Sequence, residues 1–214
     1  MGAEATVVLK AVGAARLLPV VVLDREEDAV PLAQALSQGG LPVAEVTFRT
    51  KAAAGAIRRI AKDVPGVLLG AGTVLTPEQV SEAADAGARF IVTPGFNPKV
   101  VEAALEKGLP IVPGINNPTG VEQAMGYGLG AVKFFPAEAT GGVPFLKALT
   151  GPYGDMRFIP TGGIGLKNLA SYLALKAVLA CGGSWMVDPE LIRAGRFAEI
   201  ATLTADAVAL AKSI

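Results

Sequence analysis

Short runs of apolar, β-branched-rich residues recur along the chain at nearly even intervals, with more polar segments between them. They start at Leu17 (LLPVVVL), Pro42 (PVAEVTF), Val67 (VLLGAGTV), Arg89 (RFIVTP), Leu109 (LPIVPGI), Ala131 (AVKFF), Met156 (MRFIPTGG) and Ala177 (AVLACGG), about 20 to 25 residues apart. Runs of this length predict buried strands. The segments between them, such as REEDAVPLAQALSQGG and TPEQVSEAADAG, carry apolar residues at helical spacing. Thr50, Thr76, Asn97 and Asp188 stand where helices should begin, and Gly39, Gly87, Gly108 and Gly128 where they should end.

Strand, helix and strand at this interval imply right-handed parallel crossovers. Eight such units predict an α/β fold, a (β/α)8 TIM barrel at the short end of its size range. An open doubly wound sheet is the alternative, but eight nearly equal units without interruption favour closure. The stretch before Leu17 reads as an extra N-terminal helix placed to plug the bottom of the barrel. No linker, low-complexity tract or charge block interrupts the pattern, so residues 1–214 are expected to form one domain.

In such a barrel, chemistry belongs at the C-terminal ends of the strands. Along PVAEVTFRT, Val43, Glu45, Thr47 and Arg49 share one parity and Ala44, Val46 and Phe48 the other, so the two sets face opposite ways. The apolar set suits the helix layer. Glu45, and Arg49 if the strand stays regular, are left for the interior. Lys133 shares parity with Ala131 and Phe135, again on the interior side. Thr73, Pro94 and Thr161 end three further strands at the same mouth.

An ammonium group among apolar neighbours must find a partner or give up its proton. Lys133 and Glu45 therefore allow two readings. One is a buried salt bridge closing a layer of the barrel, where desolvation offsets most of the attraction. The other is a desolvated amine suited to forming a Schiff base with a ketone, a carboxylate to shuttle protons and an arginine to grip a substrate carboxylate. The mid-strand position of the lysine, with an arginine and a threonine nearby, favours the second.

Composition narrows the chemistry further. The chain has no histidine and one cysteine, which excludes Ser-His-Asp and Cys-His mechanisms, imidazole-based zinc sites and an internal disulfide. Cys181, apolar on its N-terminal side, is expected to be a buried, unreactive thiol. The formal net charge is zero, which gives no electrostatic case for nucleic acid or an anionic membrane. No apolar run is long enough to span a bilayer. The N-terminus carries Glu4 and lacks a basic leader region, and the Met1–Gly2 pair with Thr6 is too short a match for acylation, so the expectation is a cytoplasmic protein. Two glycine-rich turns, PTGGIG from Pro160 and CGGSW from Cys181, follow the seventh and eighth strands, where barrels often bind phosphate through backbone N–H groups.

Taken together, EVTFRT, GAGTVL, TPGFNP, VKFFPAE, PTGGI and GGSWMV run through nearly the whole chain in one order and spacing. In these the chain resembles the bacterial 2-keto-3-deoxy-6-phosphogluconate aldolases, class I lyases that also cleave 4-hydroxy-2-oxoglutarate. The resemblance implies Lys133 as the Schiff-base lysine and Glu45 as the general acid/base. It implies Arg49 and Thr73 at the pyruvate carboxylate, Gly162, Gly163 and Ser184 at the phosphate, and Pro94, Phe135 and Thr161 shaping the pocket. It further implies no cofactor, no metal and a homotrimer. PGINNPTG departs from the family at Asn116, Asn117 and Pro118, beside the aldehyde half of the substrate. That leaves open a preference for glyoxylate or for the galactonate-series epimer. A scaffold or binding module without turnover is the reading from another class.

Overall fold

The computed structural model describes residues 2–214; Met1, and with it the start of the Met1–Gly2 pair, lies outside them. Strands and helices alternate along the chain. The strands are β1 (Leu17–Val21), β2 (Val43–Thr47), β3 (Leu68–Gly72), β4 (Phe90–Val92), β5 (Ile111–Val112), β6 (Gly114–Ile115), β7 (Ala131–Phe134), β8 (Arg157–Pro160) and β9 (Cys181–Gly183). The helices are α1 (Ala3–Ala15), α2 (Ala29–Gln38), α3 (Ala53–Asp63), α4 (Pro77–Ala86), α5 (Pro98–Glu106), α6 (Pro118–Gly126), α7 (Gly142–Thr150), α8 (Leu169–Leu173), α9 (Pro189–Arg193) and α10 (Phe197–Lys212).

All pairings are parallel. One hydrogen-bonded group runs in the order β5-β4-β3-β2-β1-β9 and a second in the order β6-β7-β8. Pro113 alone separates β5 from β6: it lacks the N–H that a continuous strand would donate. The run from Leu109 is thus two short strands. Beyond β8, Phe158 and Thr161 form single bridges to Val178 and Gly182. The strand from Ala177 accordingly begins later than its apolar pattern suggests, at Cys181.

Both faces of the strands are buried, one against the helices and one against the curled interior. Val20, Val46, Ala71, Ile91 and Phe134 are all nearly inaccessible. At the starting ends of the strands, Ala5 and Leu9 of α1 line an apolar cavity of about 190 Å³ together with Ile111 and Ala131. An Arg89–Glu4 ion pair ties the same end of the helix to the residue before β4. This is the place foreseen for a plug. Among the described residues no helix is long and apolar enough to cross a membrane.

Thr76, Asn97 and Asp188 cap α4, α5 and α9, accepting N–H bonds from Gln79, Lys99 and Glu190. Thr50 does not cap α3, which starts after Ala52; its hydroxyl donates instead to the Leu23 carbonyl of the neighbouring loop. Gly87, Gly108 and Gly128 adopt the left-handed conformation that ends helices. Gly39 does not, for Gly40 takes that role. Gly39 is instead a point of close approach, where a Cβ would meet Thr204 of α10 at 2.6 Å.

Candidate active site

Glu45 lies mid-strand in β2 and Lys133 mid-strand in β7, strands that are not neighbours in either hydrogen-bonded group. Even so, Lys133 Nζ donates to Glu45 Oε1 at 3.1 Å. The sheet therefore curves far enough for both side chains to project onto one enclosed face, as their strand parity requires. Glu45 is fully buried and Lys133 is 3% exposed. Phe135, two residues on and on the same face, puts its ring centroid 5.4 Å from the ammonium, within cation–π range.

The pair leaves one polar atom over. Oε2 of Glu45 is buried and accepts no hydrogen bond from the protein. A buried acceptor of this kind is costly unless something donates to it. It sits beside an amine and keeps its capacity to accept a proton or a hydrogen bond. Such an arrangement can deliver a nucleophile and move a proton within one small dry volume.

The carboxylate has room because of β3. Glu45 and Thr47 stand opposite Gly70 and Gly72, and a Cβ on Gly72 would come within 2.4 Å of the Glu45 Cγ. The alternation in GAG was the available signal: glycine at every second strand position leaves space on one face only. Reading for reactive groups alone passes over it. Thr47 shares the face but donates to the Val21 carbonyl at 2.8 Å, so its hydroxyl is already spent within the sheet.

Arg49 reaches the mouth by a different route from the one its parity suggested. β2 stops at Thr47, and Arg49 lies in the turn beyond it with an exposed side chain. Its Nε donates to Thr73 Oγ1 at 3.3 Å, joining the ends of β2 and β3. Thr73 itself has φ +55°, a rare backbone conformation for a β-branched residue.

Arg49, Phe135, Thr161, Gly162, Gly163 and Ser184 line one cavity of about 410 Å³ at the C-terminal ends of the strands. Phe135 also borders a second cavity of about 540 Å³, with Pro94, Phe96 and Asn116. Thr161 is buried, Ser184 exposed. The two glycine turns thus meet at one cavity even though they are some twenty residues apart in the chain. Asn117, which sequence reading placed beside the aldehyde half of a substrate, caps α6: its Oδ1 accepts the Gly120 N–H at 2.8 Å, and Pro118 follows at the first helical position. Among the described residues no three His, Cys, Asp or Glu side chains converge as a metal site would require.

Cys181 lies apart from this chemistry. Burial pushes its thiol up to about 12, a shift that Arg16 opposes only in part.

The family model for KDPG and KHG aldolase matches residues 8–203. The chain belongs to the KDPG and KHG aldolase family. Among its relatives, the 2-dehydro-3-deoxy-phosphogluconate aldolase of Treponema pallidum is 54% identical over 197 residues, covering 92% of this chain and 94% of that protein. The KHG/KDPG aldolase of Escherichia coli K12 is 48% identical over 196 residues, 92% of each. A crystal structure of the KDPG aldolase from Legionella pneumophila, with pyruvate captured as a covalent carbinolamine, superimposes with a TM-score of 0.90 at 40% identity, over 93% of this chain and 97% of that one. The family match covers both residues of the buried pair and both glycine turns.

Proposed function

We propose that the chain is a metal-independent class I aldolase. It cleaves 2-dehydro-3-deoxy-6-phosphogluconate to pyruvate and glyceraldehyde 3-phosphate, and 4-hydroxy-2-oxoglutarate to pyruvate and glyoxylate. The observation that carries this reading is the buried, mid-strand Lys133–Glu45 contact with one Glu45 oxygen left unpaired, on the face from which Phe135 reaches the cavity. The carbinolamine in the Legionella relative is the chemistry such an amine performs on pyruvate.

The Lys133 amine adds to the C2 carbonyl of the substrate, and loss of water gives an iminium. Glu45 takes the C4 hydroxyl proton, directly or through a water held at its open oxygen. The C3–C4 bond then breaks and its electron pair moves into the iminium to form an enamine. The aldehyde departs, C3 is reprotonated, and water releases pyruvate and the free lysine. Arg49 and Thr73 hold the carboxylate end. The N–H groups of Gly162 and Gly163 and the Ser184 hydroxyl hold the phosphate, while Pro94, Phe135 and Thr161 shape the pocket.

The single domain proposed for this chemistry closes its sheet into an eight-stranded barrel. Its support is the pair of bridges beyond β8 and the division of one strand into β5 and β6 at Pro113. We take the protein to act in the cytoplasm as a homotrimer, in line with the resemblance.

Borohydride reduction in the presence of pyruvate tests the mechanism. One reduced pyruvate is expected on the peptide containing Lys133, with loss of activity. Labelling that persists in Lys133→Ala, or that maps to another lysine, sinks it. Exhaustive chelation should leave turnover unchanged; activity lost on chelation and restored by a divalent ion removes the metal-independent part of the reading.

A further inference from the structure

Three consecutive carbonyls at the first glycine turn are held from outside the cavity. The Thr161 carbonyl accepts from Ala137 N at 2.8 Å and the Gly162 carbonyl from Glu138 N at 3.1 Å. The Gly163 carbonyl accepts from the Asn168 side chain, Nδ2, at 3.0 Å. In a trans peptide the following N–H points opposite to the carbonyl. Fixing these three carbonyls therefore turns the N–H groups of Gly162, Gly163 and Ile164 the other way, and all three residues line the 410 Å³ cavity. Among the described residues the Gly163 and Ile164 N–H groups donate no hydrogen bond within the protein, while Gly162 follows the single bridge from Thr161 to Gly182.

The first two carbonyls are held by backbone N–H groups, which almost any sequence supplies. The third depends on one side chain. Asn168 occupies the position that would normally cap α8, yet its side chain makes no cap bond to that helix. It turns back instead, and its Oδ1 accepts the Gly165 N–H at 2.9 Å while Nδ2 serves Gly163. Because a carbonyl can only accept and an N–H can only donate, these two partners also fix which way the amide is oriented.

The same outer side of the turn is packed by a side chain as well. Gly163 has φ +79°, and a Cβ there would meet Glu138 Cγ at 2.7 Å. The Glu138 carboxylate is drawn aside by the buried Tyr172 hydroxyl, which donates to it, and it lies next to Gly142 at the start of α7, where negative charge is favoured. The turn is thus packed on one face and pinned at its exit by Asn168.

We infer that Asn168 is a positioning residue for the phosphoryl end of the substrate, and that the Ile164 N–H it orients is a further donor to that phosphate. The inference rests on the aldolase reading above and deepens it. Asn168 does not touch the substrate. It acts by holding the Gly163–Ile164 peptide so that its N–H faces the cavity, and a phosphorylated substrate gains while an unphosphorylated one does not.

The experiment compares wild type with Asn168→Ala and Asn168→Asp. Asp keeps an acceptor for the Gly165 N–H but cannot donate to the Gly163 carbonyl. For both variants, KM for 2-dehydro-3-deoxy-6-phosphogluconate should rise about tenfold to a hundredfold, as expected for losing charge-assisted hydrogen bonds. The inhibition constant of inorganic phosphate should rise with it. Kinetic constants for 4-hydroxy-2-oxoglutarate and capture of pyruvate by borohydride should stay within about twofold of wild type. Equal losses on both substrates, or an unchanged KM for the phosphorylated one, overturn the inference. Loss of pyruvate capture in both variants overturns it too, since Asn168 would then serve the fold. Wild type failing to capture pyruvate would instead strike the aldolase reading itself.

Discussion

A Cβ on Gly72 would stand 2.3 Å from Oε1 of Glu45, so the carboxylate of β2 rests on the bare backbone of β3. Real Cβ contacts do not come so close, and the obstacle is mutual, because Glu45 is fully buried and cannot swing into solvent. Gly72→Ala should displace the carboxylate from Lys133. Overpacking of this kind costs about 1–3 kcal/mol of stability, and a misplaced proton-transfer group costs about a hundredfold to ten-thousandfold in turnover. Thermal unfolding and kcat on 4-hydroxy-2-oxoglutarate check both numbers. Wild-type turnover in Gly72→Ala would mean that the position of Glu45 is not critical to the chemistry.

The buried pair can also be tested as a structural element, apart from activity. Lys133→Ala strands a buried carboxylate, and removing one partner of such a pair typically costs about 3–5 kcal/mol. Lys133→Met combined with Glu45→Gln leaves no charge, and its stability should return most of the way to wild type while activity stays absent. Denaturant unfolding of the three proteins measures this. A double variant as unstable as Lys133→Ala would argue that lost packing, rather than lost charge compensation, sets the cost.

Thr73 stores strain at the mouth. A β-branched residue at φ +55° costs about 1–3 kcal/mol, whereas glycine adopts that conformation freely but loses about 0.5–1 kcal/mol through its greater freedom when unfolded. Thr73→Gly should therefore unfold at a slightly higher temperature than wild type. It also removes the acceptor for Arg49 Nε, so KM should rise for phosphorylated and unphosphorylated substrates alike. A variant that is less stable and binds as well as wild type would show that the hydroxyl serves the fold.

Cys181 supplies a pH dependence with a definite sign. Its ordinary value is 9.0, and burial raises it to about 12 in the folded protein. Between those two values the folded state keeps the proton while the unfolded state releases it. The thiol's contribution to stability is thus complete below about 9 and falls as pH rises toward about 12, by at most about 1.4 kcal/mol per pH unit. Comparing unfolding free energies of wild type and Cys181→Ala at pH 8 and pH 10 isolates this slope; the difference between the two proteins should shrink at the higher pH. The thiol should also resist alkylation at pH 8 unless the protein is unfolded.

Much of this architecture was legible before any coordinates. Apolar runs at even spacing located the strands, and strand parity put Lys133, Glu45 and Phe135 on one face, because a period of two is a local property. What stayed hidden depends on partners far away in the chain. Thr50 looks like a cap by its neighbours, but the carbonyl that claims its hydroxyl belongs to Leu23, in a different loop. Arg49 follows the last residue of a strand whose end is set by a turn, and no alternation pattern marks that point. The Asn168 contacts, by contrast, are local, to Gly165 and Gly163 three and five residues back, but an Asn just before a helix reads as a cap and its hold on the preceding turn has no separate pattern. Asn117 is the opposite case: the Asn-Pro pair before an apolar helix was a readable cap, which attention to the substrate obscured.

The two backbone bonds from Ala137 and Glu138 to the Thr161 and Gly162 carbonyls make the site a ruler. The backbone of Lys133 and the glycine turn are joined through a few residues of main chain. For a phosphorylated substrate, the distance from the lysine backbone to the phosphate cradle is therefore set by peptide geometry, and the lysine side chain is the part left to adjust. An unphosphorylated substrate does not reach the cradle and is not held to that measure.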